Sequence, residues 1–434
     1  MATKLWCEYA WLPDGVAEGV RIEVEDGRIR SAEPDLPRAG TILNGLTVPG
    51  MTNAHSHAFH RALRGRTHDD RGTFWTWRDR MYAVAGRLDP ESYYRLARAV
   101  YAEMVLAGYT SVGEFHYLHH APGGTRYADP NAMSAALVAA AADAGIRLTL
   151  LDTCYLTGGF GTGLAEHQLR FGDGDAEAWA ERVATFRPEG DLVRVGAAVH
   201  SVRAVPAEQI PVVVEWAGER PLHAHLSEQR AENADCLAHY GRTPTAVLAE
   251  AGALGERTVA VHATHLTEGD IGALGRTGTR VCLCPTTERD LGDGIGPGRA
   301  LADAGSPLCL GSDSSAVIDP FAEARALELD ERLASETRGR FTVTELMAAA
   351  VDHAALGWPE VGRIAAGAAA DLVTVDLRSL RTAGVDPAGA VFAATAADVT
   401  DVLVAGRQVV RDRAHRQIAH PESLLAREVE ELWR

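Results

Sequence analysis

Two histidines spaced two residues apart, His55 and His57, follow an apolar run early in this 434-residue sequence. Side chains two positions apart in a β-strand project to the same face, so both imidazoles are able to approach one ion. His225 ends a later apolar run, and Asp313 follows another one near residue 311. Three nitrogens and one carboxylate oxygen that leave a position for water are typical of catalytic zinc. The sequence therefore predicts one Zn2+ per chain, with Fe2+ as the alternative metal.

The competing interpretation of each histidine is structural. An isolated histidine in a strand is more often a hydrogen-bonded core residue. His223 and His225 form a second H-x-H pair, in which only His225 is a predicted ligand, so this spacing also arises by chance. Chance does not easily explain why separate strand ends, in order along the chain, each supply a ligand type. This regularity favours the metal site.

Residues suited to proton transfer lie next to the candidate ligands. Glu228 stands three positions after His225, and His262 ends another strand-like run. Zinc lowers the pKa of a bound water to about 7, which makes hydroxide available near neutral pH. We expect Asp313 to accept the proton of that water, Glu228 to protonate a leaving nitrogen, and His262 to stabilise the developing charge. The predicted catalytic residues are therefore Glu228, His262 and Asp313.

The charged residues exclude several other kinds of chemistry. Lys4 is the only lysine of the chain. Schiff-base catalysis, a P-loop, and a carbamylated lysine between two metals all need a lysine in the active domain, so all three are excluded. The formal net charge of −17 repels nucleic acid and anionic membranes, and we expect neither as a partner. An anionic substrate would need arginines of its own.

Cysteine usage and hydropathy predict the compartment. The six cysteines show no disulfide-framework spacing, and Cys282 and Cys284 lie in an apolar run, so we expect buried free thiols in a reducing environment. No segment resembles a signal peptide or the roughly 18 apolar residues of a spanning helix. The prediction is a cytoplasmic protein.

The elements that must position these residues alternate in type along the chain. Apolar strand-like runs alternate with amphipathic helical stretches, which indicates parallel βα units. Such a pattern predicts a (β/α)8 TIM barrel, an α/β fold whose catalytic groups lie at the C-terminal ends of the strands. The eight strands are predicted near residues 46–54, 110–115, 147–152, 193–199, 221–225, 258–262, 280–284 and 307–311.

Short strands and tight turns return at both ends of the chain, for example in residues 20–24 and 402–410. Chain ends are often close in space, so the two pieces are expected to pair in one small domain. The predicted organisation is a composite β-sandwich domain of residues 1–48 plus 364–420, a metal-dependent barrel of residues 49–363, and a C-terminal helix of residues 421–434.

At these residues the sequence resembles the amidohydrolase superfamily in its mononuclear deaminase branch. The motifs that carry the resemblance are Pro49-Gly50-Met51-x-x-x-His55-x-His57, His225-x-x-Glu228, His262, Gly311-Ser312-Asp313 and Gly362-Arg363-Ile364-x-x-Gly367-x-x-Ala370-Asp371-Leu372-Val373. The resemblance implies a β domain built from both termini. The absence of a lysine after Lys4, which excludes a carbamylated lysine between two metals, agrees independently with a member that binds one metal.

Within that branch the chain is most similar to the formimidoylglutamate deiminase family of histidine degradation. The shared stretches are Trp77-Arg78-Asp79-Arg80-Met81-Tyr82, Glu114-Phe115-His116-Tyr117-x-His119-His120, His200-Ser201-Val202-Arg203-Ala204-Val205, His262-Ala263-Thr264-His265 and Thr287-Glu288-x-x-Leu291-Gly292-Asp293-Gly294. The resemblance implies a homodimeric hydrolase of linear amidines that converts N-formimino-L-glutamate to N-formyl-L-glutamate and ammonia.

The same resemblance assigns the substrate-binding residues. It points to Arg203 and Arg80 for the two carboxylates of a small acidic amidine, which arginine binds in bidentate fashion. Tyr117 and His200 are expected to supply hydrogen bonds. The chain departs from the family at His60, where glutamine is usual. Glutamine offers a donor and an acceptor, and neutral histidine can mimic that arrangement in one tautomer only, so His60 bears on the choice of substrate.

Two other functions remain open. The first is deamination of an aromatic ring such as guanine, an adenosine-like compound or a triazine, which needs a stacking aromatic residue and few arginines. The second is a metal-free barrel that serves as a binding or scaffold protein. Metal analysis and a substrate panel separate these alternatives.

Overall fold

The computed structural model describes residues 3–68 and 72–434, and it divides the described strands between two sheets. In chain order the strands are β1 Thr3–Leu12, β2 Gly15–Glu25, β3 Arg28–Glu33, β4 Thr41–Pro49, β5 Met51–Ser56, β6 Tyr109–His116, β7 Arg147–Cys154, β8 Val193–Val199, β9 Leu222–Leu226, β10 Thr258–His262, β11 Arg280–Leu283, β12 Leu308–Leu310, β13 Leu372–Val375, β14 Val399–Val404, β15 Arg407–Arg411 and β16 Ala414–His415.

Helices alternate with the barrel strands and continue beyond them. They are α1 Phe74–Ala85, α2 Pro90–Ala107, α3 Ala132–Ala144, α4 Ala176–Ala184, α5 Ile210–Ala217, α6 Arg230–Tyr240, α7 Pro244–Glu250, α8 Glu268–Thr277, α9 Pro285–Leu291, α10 Gly298–Ala304, α11 Pro320–Ser335, α12 Val343–Ala350 and α13 Pro421–Trp433.

Strands β5 to β12 pair in parallel, each with its neighbours in chain order. Backbone bonds beyond the last strand close this sheet, because Asp313 N–H donates to the His55 carbonyl at 2.9 Å and His57 N–H donates to the Asp313 carbonyl at 3.1 Å. Asn53 reinforces the seam, since its side-chain oxygen accepts from Ser312 N–H at 2.8 Å. The predicted TIM barrel is confirmed.

The first predicted strand is divided between the two sheets. Residues up to Pro49 belong to β4 of the terminal sheet, and β5 of the barrel begins at Met51. Gly50 lies at the division, where a Cβ would come within 2.2 Å of the Thr110 side chain. The chain thus passes from one sheet to the other at a point where only glycine fits, which an uninterrupted apolar run does not reveal.

The second sheet is mostly antiparallel and is built from both termini, in the order β16-β15-β14-β13-β4-β1-β2-β3. It is joined to the barrel through a buried ion pair, in which Arg147 Nε and Nη2 donate to the two oxygens of Asp371 at 2.8 and 2.9 Å. Arg147 opens β7 at the N-terminal end of the barrel. The closing sequence motif around Asp371 therefore anchors the terminal sheet to the end away from the predicted site.

Local capping residues begin and end the helices. Asp89 caps α2 by accepting from Ser92 N–H at 2.8 Å, and α2 ends at Gly108 with a φ of 106°. At the other end of the chain, Glu428 of α13 accepts from Arg95 of α2 at 2.8 Å. The C-terminal helix therefore packs on the outside of the barrel.

All six cysteines are buried free thiols, as predicted for Cys282 and Cys284. Within the described ranges, no helix combines the length and the apolar composition that a membrane crossing needs.

Candidate metal centre and catalytic pocket

Four predicted ligands meet at the C-terminal end of the barrel. Nε2 of His55 lies 3.1 Å from Nε2 of His225 and 3.3 Å from Oδ1 of Asp313, and Nε2 of His57 lies 3.4 Å from the same oxygen. Two bonds of about 2.0–2.1 Å to one tetrahedral ion would separate their ligand atoms by about 3.3 Å. The separations therefore fit one cation of the size of zinc.

Backbone carbonyls orient two of the imidazoles towards this centre. Nδ1 of His57 donates to the Phe115 carbonyl at 2.9 Å, and Nδ1 of His225 donates to the His200 carbonyl at 2.9 Å. Each ring therefore carries its proton on Nδ1 and presents the lone pair of Nε2 to the cluster. Lone pairs and a carboxylate that converge in this way need a cation, so the residues fit a bound metal.

Burial also keeps the ligands in the protonation states that a metal requires. The absence of solvent around His55 lowers its pKa to about 3, so the imidazole is neutral near pH 7. Burial opposes ionisation of Asp313, but contact with His55 and the nearby His262 lowers the pKa of the carboxyl well below its ordinary value. The cluster is thus three neutral imidazoles and one carboxylate.

The residues predicted for proton transfer face the same centre. Nε2 of His262 lies 3.8 Å from Oε1 of Glu228 and 3.9 Å from Oδ2 of Asp313. On the other side of the ring, Nδ1 lies 3.4 Å from Oε1 of Glu288. Burial opposes the charged ring, but the surrounding carboxylates raise the pKa of His262 to about 10, while burial raises the pKa of Glu228. Glu288, whose role the sequence did not reveal, holds His262 between two acidic groups.

A pocket of about 530 Å3 opens over this centre. Of the predicted substrate-binding residues, His60, Tyr117, His200 and Arg203 line it. Nε2 of His60 lies 3.0 Å from the Tyr117 hydroxyl, while Nδ1 of His60 is buried with no hydrogen-bond partner among residues 3–68 and 72–434. His60 therefore occupies the pocket wall beside the metal ligands, where a change from glutamine would touch the substrate.

The predicted Arg80 lies elsewhere. The pocket is lined by Trp77, Arg78, Met81 and Tyr82 of α1, which share one helix face, and Arg80 is not among its lining residues. Arg80 instead donates to the carbonyl of Arg66. The guanidinium of Arg78 stacks 4.4 Å over the Trp75 ring, and its Nε is buried. The residue pattern around Arg78, with apolar residues one before and three after it, was the available signal for this face.

A second group of histidines and carboxylates lies behind the pocket, at the ends of β6 and β7. His116, His119 and Asp152 bring ligand-type atoms together there as well. However, Arg182 donates to both oxygens of Asp152 at 3.0 and 2.8 Å, and its Nε donates to both oxygens of Asp173 at 3.0 Å. These five residues form the arginine-paired cluster, which already contains its own cation.

Comparison with known proteins agrees with this geometry. A family model described as "Amidohydrolase family" matches residues 46–409. The chain is 39% identical to a formimidoylglutamate deiminase of Pseudomonas aeruginosa, covering 95% of this chain and 96% of that protein. It is 31% identical to an 8-oxoguanine deaminase of the same organism, covering 90% and 89%. A crystal structure of an amidohydrolase from Brucella melitensis matches with a TM-score of 0.91 at 34% identity and covers 100% of both chains.

Proposed function

We propose that this chain, which belongs to the amidohydrolase family, deaminates N-formimino-L-glutamate to N-formyl-L-glutamate and ammonia. Its relatives include hydrolases that act on C–N bonds of small molecules. The proposal therefore concerns which bond of which substrate is hydrolysed. A cytoplasmic location and a homodimer, both expected from the sequence, remain predictions that accompany it.

One observation carries the choice of substrate. The pocket that contains the histidine cluster also contains two guanidinium groups, those of Arg78 and Arg203. In the described part of the chain, neither forms an ion pair with a carboxylate, and each has a buried nitrogen without a hydrogen-bond partner. Glu232 and Glu228 lie near Arg203 but not in contact with it, and both arginines are only partly exposed. A partly buried guanidinium with no carboxylate in contact is poorly compensated, and a substrate with two carboxylates supplies a contact for each. N-formimino-L-glutamate is such a substrate, and its linear amidine fits a small pocket.

The metal would be held by His55, His57, His225 and Asp313. A divalent ion there supplies a water with a pKa of about 7 and a Lewis acid for the formimino group. In the net reaction the oxygen of water forms a C=O bond to the formimino carbon, the bond from that carbon to the terminal nitrogen breaks, and both hydrogens of water leave with that nitrogen as ammonia.

Three side chains have separate roles in the proposed proton transfers. Oδ2 of Asp313 faces His262 and is placed to accept a proton from the attacking water, because Oδ1 is turned to the histidine ligands. Glu228, whose pKa is raised by burial, is placed to give a proton to the leaving nitrogen. His262 lies between them and stabilises the negative charge that develops on oxygen.

The alternative function is deamination of an aromatic ring. It is favoured by the similarity to an 8-oxoguanine deaminase and by the aromatic lining of the pocket, which includes Trp77, Tyr117 and Phe171. A neutral ring would leave Arg78 and Arg203 without partners, which is why we rank it second.

The test is ammonia release by the zinc-loaded protein from N-formimino-L-glutamate, with 8-oxoguanine, guanine and adenosine as parallel substrates. We expect kcat/KM for the amidine to exceed that for each ring by roughly 10³-fold or more, because a site that binds a charged group discriminates strongly against molecules that lack it. Chelation should abolish turnover, and added Zn2+ should restore it. Preferred turnover of a ring would replace our proposal with the alternative, and full activity without any metal would refute both.

A further inference from the structure

Beneath the pocket, the side chain of Gln168 joins two tyrosines that the sequence did not single out. Its Nε2 donates to the hydroxyl oxygen of Tyr82 at 3.0 Å and to that of Tyr155 at 2.9 Å. Gln168 and Tyr155 are almost fully buried from solvent, and both tyrosines line the pocket. These three residues form the Gln168 bridge.

The orientation of the amide follows from its other hydrogen bond. Oε1 of Gln168 accepts from Ala165 N–H at 2.9 Å, so the NH2 group must be the end that faces the tyrosines. An NH2 group has two hydrogens, and the two tyrosine oxygens accept one each. A phenolic hydroxyl that accepts in this way still has its own hydrogen to donate. The Tyr82 hydroxyl is also hydrogen-bonded to that of Tyr155, which uses one of their two hydrogens. The bridge therefore leaves one hydroxyl hydrogen of the pair to donate towards something other than Gln168.

Arg203 lies near these hydroxyls. Burial opposes its charge, but the neighbouring Tyr155 and Glu232 raise the pKa of its guanidinium. Burial also raises the pKa of the Tyr82 hydroxyl, which therefore keeps its hydrogen at physiological pH. Nη1 of Arg203 is buried and has no hydrogen-bond partner in the described part of the chain. The hydroxyl donor of this pair and a guanidinium nitrogen without an acceptor thus share one region of the pocket.

Tyr117 provides a contrast within the same pocket. Its hydroxyl lies 3.0 Å from Nε2 of His60, a ring nitrogen that donates or accepts according to its tautomer. The other contact of this hydroxyl is a long hydrogen bond to Met81 Sδ at 3.9 Å, so the hydrogen of Tyr117 is not committed by an amide. Only Tyr82 and Tyr155 have an amide that commits their oxygens to accepting.

We propose that Gln168 is a positioning residue that commits both oxygens of the Tyr82–Tyr155 pair to accepting and so turns the remaining hydroxyl hydrogen into the pocket, where it and Arg203 bind one carboxylate and reject an amide in its place. This inference rests on the proposed function, because it concerns one carboxylate of N-formimino-L-glutamate. A carboxylate only accepts hydrogen bonds, whereas the NH2 of an amide would face groups that also donate. The bridge therefore contributes to the selection of a dicarboxylate substrate.

The sharpest variant is Gln168→Glu, which keeps the shape of the side chain. At mildly alkaline pH its carboxylate still accepts from Ala165 N–H, but it also accepts from both tyrosines and turns their hydrogens away from the substrate. We expect KM for N-formimino-L-glutamate to rise about 10-fold or more, with kcat within about 3-fold of wild type. The preference over the two monoamide analogues, N-formimino-L-glutamine and N-formimino-L-isoglutamine, should fall for the one whose amide replaces this carboxylate.

The double variant Tyr82→Phe/Tyr155→Phe tests the same inference without a new charge, and it decides the matter if Gln168→Glu does not fold. It should raise KM and weaken the discrimination against the same monoamide. The matched control is Tyr109→Phe, which removes a buried hydroxyl with no described partner at the start of β6, far from the pocket. This control should keep the wild-type KM and discrimination.

Two outcomes would count against the inference, and they are distinguishable. A folded double variant with the wild-type KM and the wild-type discrimination overturns the role of the bridge but leaves the proposed function intact. Failure of the wild-type protein to release ammonia from N-formimino-L-glutamate overturns the proposed function and this inference with it.

Discussion

Two buried groups of histidines and carboxylates lie near one another at the same end of the barrel, yet they are built for opposite purposes. In the arginine-paired cluster, Asp152 accepts from Arg182 and from Trp179, and Asp173 accepts from Arg182 and His120. In the candidate metal centre, Asp313 faces His55, His57 and His262 at distances of 3.3 to 3.9 Å. The first group contains its own cation, and the second group has the arrangement of a site for an added one.

The difference teaches how to distinguish a site from a structural network when the residue types are the same. His116, His119 and Asp152 bring ligand-type atoms as close together as His55, His57 and His225 do. The two groups differ in whether an arginine already neutralises the carboxylate, because a carboxylate whose oxygens all accept hydrogen bonds has no lone pair directed at a ligand. The same reasoning applies to the guanidinium groups. Arg182 is fully used by the protein, whereas Arg203 retains a buried nitrogen without a described partner.

The largest effect should follow from removing the proposed proton donor beside the candidate metal centre. Glu228→Gln preserves the volume of the side chain and is expected to lower kcat by about 10²- to 10⁴-fold, the usual contribution of general acid–base catalysis. Bound metal should stay at wild-type stoichiometry because Glu228 is not among the four proposed ligands. Steady-state ammonia release and metal analysis of the same sample measure both quantities.

A matched control for this substitution is Glu215→Gln, the same chemical change at an exposed position of α5. It should leave kcat and metal content unchanged. Near-wild-type turnover by Glu228→Gln would remove Glu228 from the proton transfers and require another donor in the pocket.

The sequence was sufficient to predict which side chains meet in the candidate metal centre, because the strands of a barrel all end on one face. His55, His57, His225, His262 and Asp313 all follow apolar runs, and parallel strands bring their carboxyl ends to one face. Seven of the eight predicted barrel strands agree with the structure to within two residues at each end. The first differs because β4 and β5 follow one another across Gly50 without any polar interruption.

The pocket wall was harder to predict because it depends on long-range packing. Gln168 contacts Tyr82 and Tyr155, which come from α1 and from the segment after β7, and no local pattern indicates that these three meet. Likewise, Glu288 reaches His262 only through the packing of α9 against the end of β10. Residue spacing identifies which side chains share an element, but it does not determine which elements become neighbours.

A substitution in the arginine-paired cluster is expected to change stability clearly and activity little. Arg182→Leu leaves Asp152 and Asp173 buried without their cation, which should lower the free energy of unfolding by about 3–5 kcal/mol. Because Arg182 does not line the pocket, KM of the folded fraction should not change. Urea denaturation followed by circular dichroism gives the first quantity, with Arg187→Leu, an exposed arginine nearby, expected to stay within about 0.5 kcal/mol of wild type. A stable Arg182→Leu protein with a raised KM would mean that this cluster belongs to the substrate site.

The smallest effect is expected at Arg78 of α1, and Arg80 of the same helix is its control. The pair of variants compares an arginine that lines the pocket with one that does not. Arg78→Met should raise KM for N-formimino-L-glutamate about 10- to 100-fold, the equivalent of a lost charged hydrogen bond of about 1.5–3 kcal/mol, with kcat little changed. Arg80, which the sequence suggested for the same role, lies on another face of α1 and donates to the Arg66 carbonyl, so Arg80→Met should keep KM within about 3-fold of wild type. The two variants remove the same group two residues apart, so differences in overall charge cancel between them. The reverse result, with KM raised only in Arg80→Met, would show that the other face of α1 contacts the substrate. Arg80 would then be the residue that binds the carboxylate.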